Sequence, residues 1–113
     1  MLTLKNVAAS DIQTVYAGAE GQLWELIMGE QIHIGGLPSS NALADFGGVK
    51  SGMTAVDFCC CSGAGMRFLL KLRGAAHVSG VDFTKAQLAL GKKRMAQAGI
   101  PASQYKFFLG DAA

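Results

Sequence analysis

Residues 54–65 read TAVDFCCCSGAG and join an apolar segment to a loop that is rich in small residues. Thr54 to Phe58 has the length and the apolar, β-branched composition of a buried strand, with an aspartate near its end. Met66 to Leu72 follows with apolar residues at helical spacing, and Gly74 stands beyond its end. The order of strand, loop and helix indicates an α/β protein.

The remaining C-terminal residues repeat that order. His77 to Phe83 predicts a second strand, and Thr84 is a suitable N-cap for a helix from Lys85 to Ala98. YKFFLG, residues 105–110, predicts a third strand. Strands that alternate with helices form a parallel open sheet, so we predict a Rossmann-like α/β fold of three strands.

The N-terminal residues predict helices rather than strands. Ser10 and Gln13 have capping-box spacing at the start of a helix over Asp11 to Ala17. AEGQLWELIMGE, residues 19–30, has apolar side chains at helical spacing and predicts a second helix.

QIHIGGLPSS, residues 31–40, predicts an irregular loop because its glycines and proline interrupt both regular patterns. A third short helix is predicted from Asn41 to Phe46. We therefore divide the chain into a helical lid or cap over residues 1–50 and the first half of a sheet domain over residues 51–113.

Composition restricts the function. Half of the 113 residues are apolar and 16% are charged, which indicates a packed globule and argues against a nucleic-acid partner. The net charge of +2 decides little. No signal peptide and no apolar run of about 18 residues is present, so we expect no membrane association. Three adjacent cysteines do not suit a secreted disulfide framework, and we expect a cytoplasmic protein with reduced thiols.

Each predicted strand is followed or ended by an acid: Asp57, Asp82 and Asp111. Ligands of open parallel sheets bind outside the carboxyl ends of the strands, so these carboxylates are predicted to meet in one crevice. Asp82 lies about 20 positions after Gly63, roughly the offset at which an acid receives ribose hydroxyls in nucleotide-binding folds.

These features together resemble the class I S-adenosylmethionine-dependent methyltransferases. AVDFCCCSGAG is similar to their first motif, SGVDFTKAQLALGKK to their second and FFLGDA to their third. Upstream, LWELIMGEQIHIGG resembles the segment before the core in the glycine, sarcosine and dimethylglycine methyltransferases and in the phosphoethanolamine methyltransferases. The resemblance covers the N-terminal half of that fold, and it implies methyl transfer from S-adenosylmethionine to a small molecule.

The resemblance also implies roles for individual residues. Asp57 and the backbone of residues 59–63 would line the methionine part of the cofactor, and Asp82 would hold the ribose. Phe83 would lie against the adenine, and Asp111 with Ala112 would contact its amino group. The full set implied to bind cofactor is Tyr16 and His33 on the lid, Asp57, Cys59, Cys60, Cys61, Gly63, Asp82, Phe83, Gln87, Asp111 and Ala112. No catalytic base is identified, and no metal is expected.

The loop departs from the family pattern, which has three glycines at alternating positions where this chain has Cys59, Cys61 and Gly63. A side chain makes a positive φ costly, so we expect ordinary backbone angles at both cysteines. Consecutive cysteines lack the C-x-x-C spacing of metal ligands, and we interpret all three as small buried packing residues.

The length suggests an incomplete domain. In the fold of the resembled family the strand that ends near Asp57 is central, so its outer edge would be left without a neighbour here. We expect association with a second copy or with a chain that supplies the missing half. Two alternatives stay open: a non-catalytic cofactor-binding fragment or half of a split enzyme, and a nicotinamide-dependent dehydrogenase half-domain, which the lack of G-x-G-x-x-G spacing disfavours. The methyl acceptor is not identified.

Overall fold

A computed structural model describes residues 8–19 and 35–111 of the chain. In chain order its elements are α1 (Ala9–Ala17), α2 (Gly36–Phe46), β1 (Thr54–Phe58), α3 (Ala64–Leu72), β2 (His77–Asp82), α4 (Lys85–Gln97), a short 3-10 helix (Ala102–Gln104) and β3 (Tyr105–Leu109). The alternation of strands and helices after residue 53 confirms the predicted α/β fold.

The three strands form one parallel sheet in the order β1-β2-β3. Asp57 of β1 is paired with Gly80 of β2, and Asp82 of β2 is paired with Leu109 of β3. The carboxyl ends of all three strands therefore lie at the same end of the sheet. β2 is the central strand, and β1 is at one side of the sheet.

Helices α3 and α4 cover one face of the sheet and form the core with it. Met66 of α3, Val78 of β2 and Met95 of α4 are fully buried, with Leu88 nearby in the same cluster. Gly91 lets α4 approach β3, since a Cβ at that position would lie 2.8 Å from Cζ of Phe107. This packing fixes the helices relative to the strand ends.

The opposite face carries exposed apolar side chains. Val56, Phe58 and Phe108 are 54%, 63% and 43% exposed. The pairing register places Phe58 beside Val81, and Val81 beside Phe108, in one row across the sheet. Parallel sheets are normally covered on both faces, so this apolar row is unusual for a parallel sheet.

Helix α2 begins earlier than the sequence predicted. It starts at Gly36 rather than Asn41, and the predicted irregular loop is wrong for residues 36–40. Pro38 fits because it stands in the first turn, where its missing N–H has no partner to lose. Gly35 supplies the N-cap with a φ of 94°, a left-handed conformation that suits glycine.

Helix α1 also has a different N-terminus from the predicted one. It begins at Ala9, so Ser10 lies inside the helix instead of capping it. Asp11 fills the third helical position, and its Oδ2 accepts a 2.9 Å hydrogen bond from the Ala8 N–H. The predicted Ser10–Gln13 capping box is therefore wrong, and the Gln13 side chain has a distant partner at the end of β2.

The predicted helix over residues 19–30 lies outside the described residues except at its first position. In the parts of the chain that are described, residues 8–19 and 35–111, no helix is long and apolar enough to cross a membrane. The predicted division into segments at residue 50 stays a prediction.

Candidate functional site

Asp82 is the centre of the site. It ends β2, is only 5% exposed, and both of its carboxylate oxygens accept backbone hydrogen bonds of 2.8 Å. Oδ2 accepts from the N–H of Cys61 in the loop after β1, and Oδ1 accepts from the N–H of Thr84. One carboxylate therefore ties two strand ends together, and each oxygen keeps a further lone pair for a ligand.

The loop after β1, residues 59–63, has left-handed backbone at alternating positions. Cys59 has a φ of 60°, Cys61 a φ of 49° and Gly63 a φ of 80°. The expectation of ordinary angles at the two cysteines is wrong. The physical reason is the fixed positions of the neighbouring groups, since the Cys60 N–H donates to the Val81 carbonyl and the Cys61 N–H to Asp82.

The three cysteines occupy different environments. Cys60 is buried beneath the loop, Cys61 is half-buried and Cys59 is exposed. The interpretation of all three as buried packing residues is therefore correct for Cys60 and wrong for Cys59. Cys59 lies on the surface because it leaves the strand at the edge of the sheet, where no further strand of the described residues covers it.

Gly80 makes room for Cys60. A Cβ at Gly80 would lie 2.8 Å from Sγ of Cys60 and would overlap Sδ of Met66. Two sulfur-containing side chains thus pack directly on the backbone of β2. A lone glycine within a strand pattern often marks such a close approach, so Gly80 indicates this contact in the sequence, although the sequence-based predictions did not include it.

Asp57 lies beside Asp82 at the neighbouring strand end. Burial, and next the negative charge of Asp82, raise the pKa of the Asp57 carboxyl above its ordinary value. A Cβ at Gly65, in the first turn of α3, would lie 2.9 Å from Oδ2 of Asp57. Asp57 therefore fills the space that Gly65 leaves at the start of the helix.

The same burial and charges act on the neighbouring thiols. Desolvation first, and then nearby carboxylates, raise the pKa of Cys60 and of Cys61 to about 12. Asp57 contributes most after burial for Cys60, and Asp82 does so for Cys61. Both thiols stay protonated near neutral pH. Among the residues that are described, no group of three or more His, Cys, Asp or Glu side chains is arranged to hold a metal ion.

The other predicted cofactor residues fall into two groups. Phe83 directly follows Asp82, Gln87 is half-buried in the first turn of α4, and Asp111 is exposed just beyond β3. The Gly110 N–H donates a 2.9 Å hydrogen bond to the Asp82 carbonyl, which brings the end of β3 to that of β2. His33 and Ala112 lie outside the described residues, and Tyr16 belongs to α1.

Gln13 belongs to the site although its predicted role was a different one. Its side-chain amide on α1 donates a hydrogen bond to the Phe83 carbonyl oxygen. The two residues are 70 positions apart, and no local pattern indicates such a contact. Helix α1 therefore lies against the loop that follows β2.

A cavity of about 680 Å³ lies away from the strand ends. Its lining comes from the start of α2 and from α3 and α4, and it includes Leu37, Phe68, Arg67 and Arg94. None of Asp57, Asp82 and Phe83 lines it. We therefore assign the candidate site to the carboxylates at the strand ends.

Several solved structures are similar to this chain. The chain superposes on phosphoethanolamine N-methyltransferase 2 of Haemonchus contortus, in complex with phosphomonomethylethanolamine and S-adenosylhomocysteine, with a TM-score of 0.75 and 28% identity over 88% of this chain. The chain has the fold of the S-adenosylmethionine-dependent methyltransferases. The predicted resemblance is thereby confirmed.

Two further methyltransferase-fold structures support the assignment of the fold. A methyltransferase of Thiobacillus denitrificans with S-adenosylhomocysteine has a TM-score of 0.63 and 24% identity over 85% of this chain. A Galdieria sulphuraria protein assigned as a sarcosine dimethylglycine methyltransferase has a TM-score of 0.59 and 20% identity over 71% of this chain. No protein-family model matches the sequence, and no curated protein matches it significantly.

The chain is much shorter than these methyltransferases. It spans 23% of the length of the Haemonchus contortus enzyme, 38% of the Thiobacillus denitrificans protein and 31% of the Galdieria sulphuraria protein. The activity of a whole methyltransferase is accordingly a proposal for this chain.

Proposed function

We propose that this chain is the cofactor-binding part of an S-adenosylmethionine-dependent methyltransferase that acts on a small molecule. The observation that carries the proposal is the paired carboxylates of Asp57 and Asp82 at adjacent strand ends, in a fold shared with methyltransferases. Asp82 is already oriented by two backbone N–H groups. A carboxylate held in this way accepts the two hydroxyls of a ribose without further ordering.

The residues of the first loop fit the proposed cofactor. Left-handed backbone at residues 59, 61 and 63 is the conformation that a glycine-rich ligand loop adopts, and the chain keeps it although cysteine is strained there. Gly65 leaves room for Asp57 at the helix start. Asp57 and the backbone of residues 59–63 would thus line the methionine part and Asp82 the ribose, with Phe83 against the adenine.

The chemistry asks little of the protein beyond alignment. When bound, S-adenosylmethionine supplies a methyl group that is already activated by its sulfonium. The chain then has to hold the cofactor, exclude water and present the methyl group to an acceptor. The Haemonchus contortus enzyme, in complex with phosphomonomethylethanolamine, supports a small phosphorylated amine as the first acceptor to test.

Isothermal titration with S-adenosylhomocysteine tests cofactor binding. We expect Asp82→Asn to weaken binding about tenfold or more, because it removes the charge that the hydroxyls contact. Asp45→Asn is the matched control, since Asp45 is an exposed acid that pairs with Arg73. Equal affinity for wild type and Asp82→Asn would contradict the assignment of Asp82.

A second candidate function is a non-catalytic cofactor-binding fragment or half of a split enzyme. The exposed apolar side chains of Val56, Phe58 and Phe108, which further polypeptide would cover, favour it. Tight binding of S-adenosylhomocysteine with no methyl transfer to phosphoethanolamine would select this alternative. Methyl transfer by the chain alone would exclude it.

The exposed apolar side chains of the sheet support the proposal of a partner. Val56 and Phe58 expose apolar side chains on β1, the edge strand, and Phe108 continues the row on β3. Such an edge and face favour pairing with further polypeptide. We propose that a chain supplying additional strands and helices covers them, and a second copy of this chain is the other possible outcome of the test.

Light scattering after size exclusion tests that association. Wild type is expected to form a dimer or a mixed complex, and Phe58→Lys on β1 is expected to release the monomer. Leu43→Lys is the control, because Leu43 is also exposed but lies on α2. The proposal would be contradicted if the wild type stayed monomeric both alone and when mixed with a polypeptide that supplies additional strands and helices.

We also propose a cytoplasmic location. The three cysteines are free and adjacent, which suits a reducing compartment. Fractionation of cells that express the tagged protein tests this, and recovery outside the cytosol would contradict it.

A further inference from the structure

A hydrogen bond joins helix α1 to the candidate site. The Gln13 side-chain amide donates to the Phe83 carbonyl oxygen, and the Gln13 side chain is half-buried at this contact. Helix α1 also packs against α4, which begins directly after Thr84. Helix α1 is thus held beside the second loop, residues 83–84, by the Gln13 hydrogen bond and by its packing against α4.

The Phe83 carbonyl and the Thr84 N–H belong to the same planar peptide unit. Both ends of that unit are engaged, because the oxygen accepts from Gln13 and the N–H donates to Oδ1 of Asp82 at 2.8 Å. A hydrogen bond accepted at a carbonyl polarises the peptide and strengthens its N–H as a donor. Gln13 is therefore connected to Asp82 through one rigid group.

The two oxygens of Asp82 are held from different sides. The first loop fixes Oδ2 through the Cys61 N–H, and the second loop fixes Oδ1 through the Thr84 N–H. The rotation of the carboxylate is set only when both donors keep their positions. Loss of the Gln13 contact would free the peptide that carries one of them.

We propose that Gln13 is a positioning residue for Asp82, acting through the peptide between Phe83 and Thr84. The consequence for ligand binding rests on the proposed function, in which Asp82 receives the ribose. The chain of hydrogen bonds itself does not depend on that function. Two experiments therefore separate the failure of one from the failure of the other.

The first experiment needs no ligand. In proton–nitrogen correlation spectra of the ¹⁵N-labelled protein, we expect Gln13→Leu to move the Thr84 amide proton upfield, because its hydrogen bond to Asp82 weakens. Thr14→Ala is the matched control, since Thr14 Oγ1 donates only within α1, to the Ser10 carbonyl, at 2.9 Å. An unchanged Thr84 resonance in Gln13→Leu would overturn the proposal.

The second experiment measures S-adenosylhomocysteine affinity by isothermal titration. Gln13→Leu is expected to weaken binding about fivefold, the value of roughly one hydrogen bond, and Thr14→Ala is expected to match wild type. No binding by wild type would reject the proposed function and leave the spectroscopic result to decide the role of Gln13. Wild-type binding that Gln13→Leu leaves unchanged would overturn the positioning role alone.

Gln13→Glu adds a pH-dependent readout. An ionised carboxylate at this position faces the Phe83 carbonyl as a second acceptor, whereas the protonated acid regains a donor. The loss of affinity relative to wild type at the same pH is expected to shrink as the pH falls. A loss that does not change with pH would show that α1 contributes packing only and would also overturn the proposal.

Discussion

The tripeptide Val-Asp-Phe occurs twice, at residues 56–58 and 81–83, and the two copies have different surroundings. In β1, at the edge of the sheet, Val56 and Phe58 are exposed, and Asp57 is the last but one residue of the strand. In β2, the central strand, Asp82 is buried at the strand end and both of its oxygens accept backbone N–H groups. Position in the sheet, rather than local sequence, decides what each aspartate does.

The loops after the two tripeptides differ in the same way. The first loop, residues 59–63, has left-handed backbone at two cysteines and is held by groups from β2. The second loop has ordinary extended backbone at Thr84, with a φ of −100°. The first loop thus depends on tertiary contacts, whereas the second follows local preference.

Within the first loop, the largest expected difference is between the reactivity of the Cys59 thiol and that of the other two thiols. A pKa of about 12 in place of 9.0 lowers the thiolate population of Cys60 and Cys61 about a thousandfold near neutral pH. We expect iodoacetamide to modify Cys59 in the folded protein and to leave the other two. Mass spectrometry of peptides measures this, with urea-unfolded protein as the control. Equal modification of all three cysteines in the folded state would show that the first loop is open.

The packing beneath the first loop is tested by Gly80→Ala. The new Cβ would meet Met66 and Cys60, and Met66 is fully buried and has little room to move. We expect a loss of about 2–3 kcal/mol in the free energy of unfolding, measured by urea denaturation. Gly110→Ala is the control, because its Cβ would make an ordinary 3.9 Å contact with Val81. Equal effects of the two substitutions would refute the packing argument.

The strands, the helices and the positions of the two aspartates could be predicted from the sequence where they depend on local pattern. The predicted bounds of β1 and the predicted last residue of α3 agree with the structure, and α4 ends one residue before its predicted end. Apolar spacing marks these segments, and a glycine follows each of the two helices. The positions of Asp57 and Asp82 at one edge followed from the parallel order of the strands. The predicted start of α2 is too late because proline usually interrupts a helix, whereas Pro38 stands in the first turn, where proline is compatible with one.

Contacts between distant residues could not be predicted in this way. The backbone angles of Cys59 and Cys61 are fixed by Val81 and Asp82, about 20 residues later, and the Gln13 contact spans most of the chain. Propensity alone predicts ordinary angles at a cysteine. Tertiary hydrogen bonds override that preference here.

Cys61→Gly tests the strain in the first loop directly. Glycine adopts a φ near 49° freely, and the substitution is expected to stabilise the protein by about 1 kcal/mol, because the relief of strain exceeds the added chain entropy. Thermal unfolding measures this. Cys60→Gly is the control and is expected to destabilise, since Cys60 is buried and outside the left-handed region. Destabilisation by both substitutions would show that Cys61 is not strained.

The smallest expected effect separates the two aspartates by pH. Burial, with the charge of Asp82 next in importance, raises the pKa of Asp57 in the folded state, so folded protein binds this proton more tightly than unfolded protein. The stability of the wild type therefore falls as the pH rises through the interval between the unfolded and folded pKa values, and it stays lower above that interval. Asp57→Asn cannot ionise, so its stability relative to wild type is expected to increase over the same interval and then to level off. Urea denaturation at a series of pH values from about 3 to 7 measures the difference. A difference that is constant with pH would mean that Asp57 is as well solvated in the folded chain as in the unfolded one. Electrostatics would then not distinguish Asp57 on the edge strand from Asp82 on the central strand.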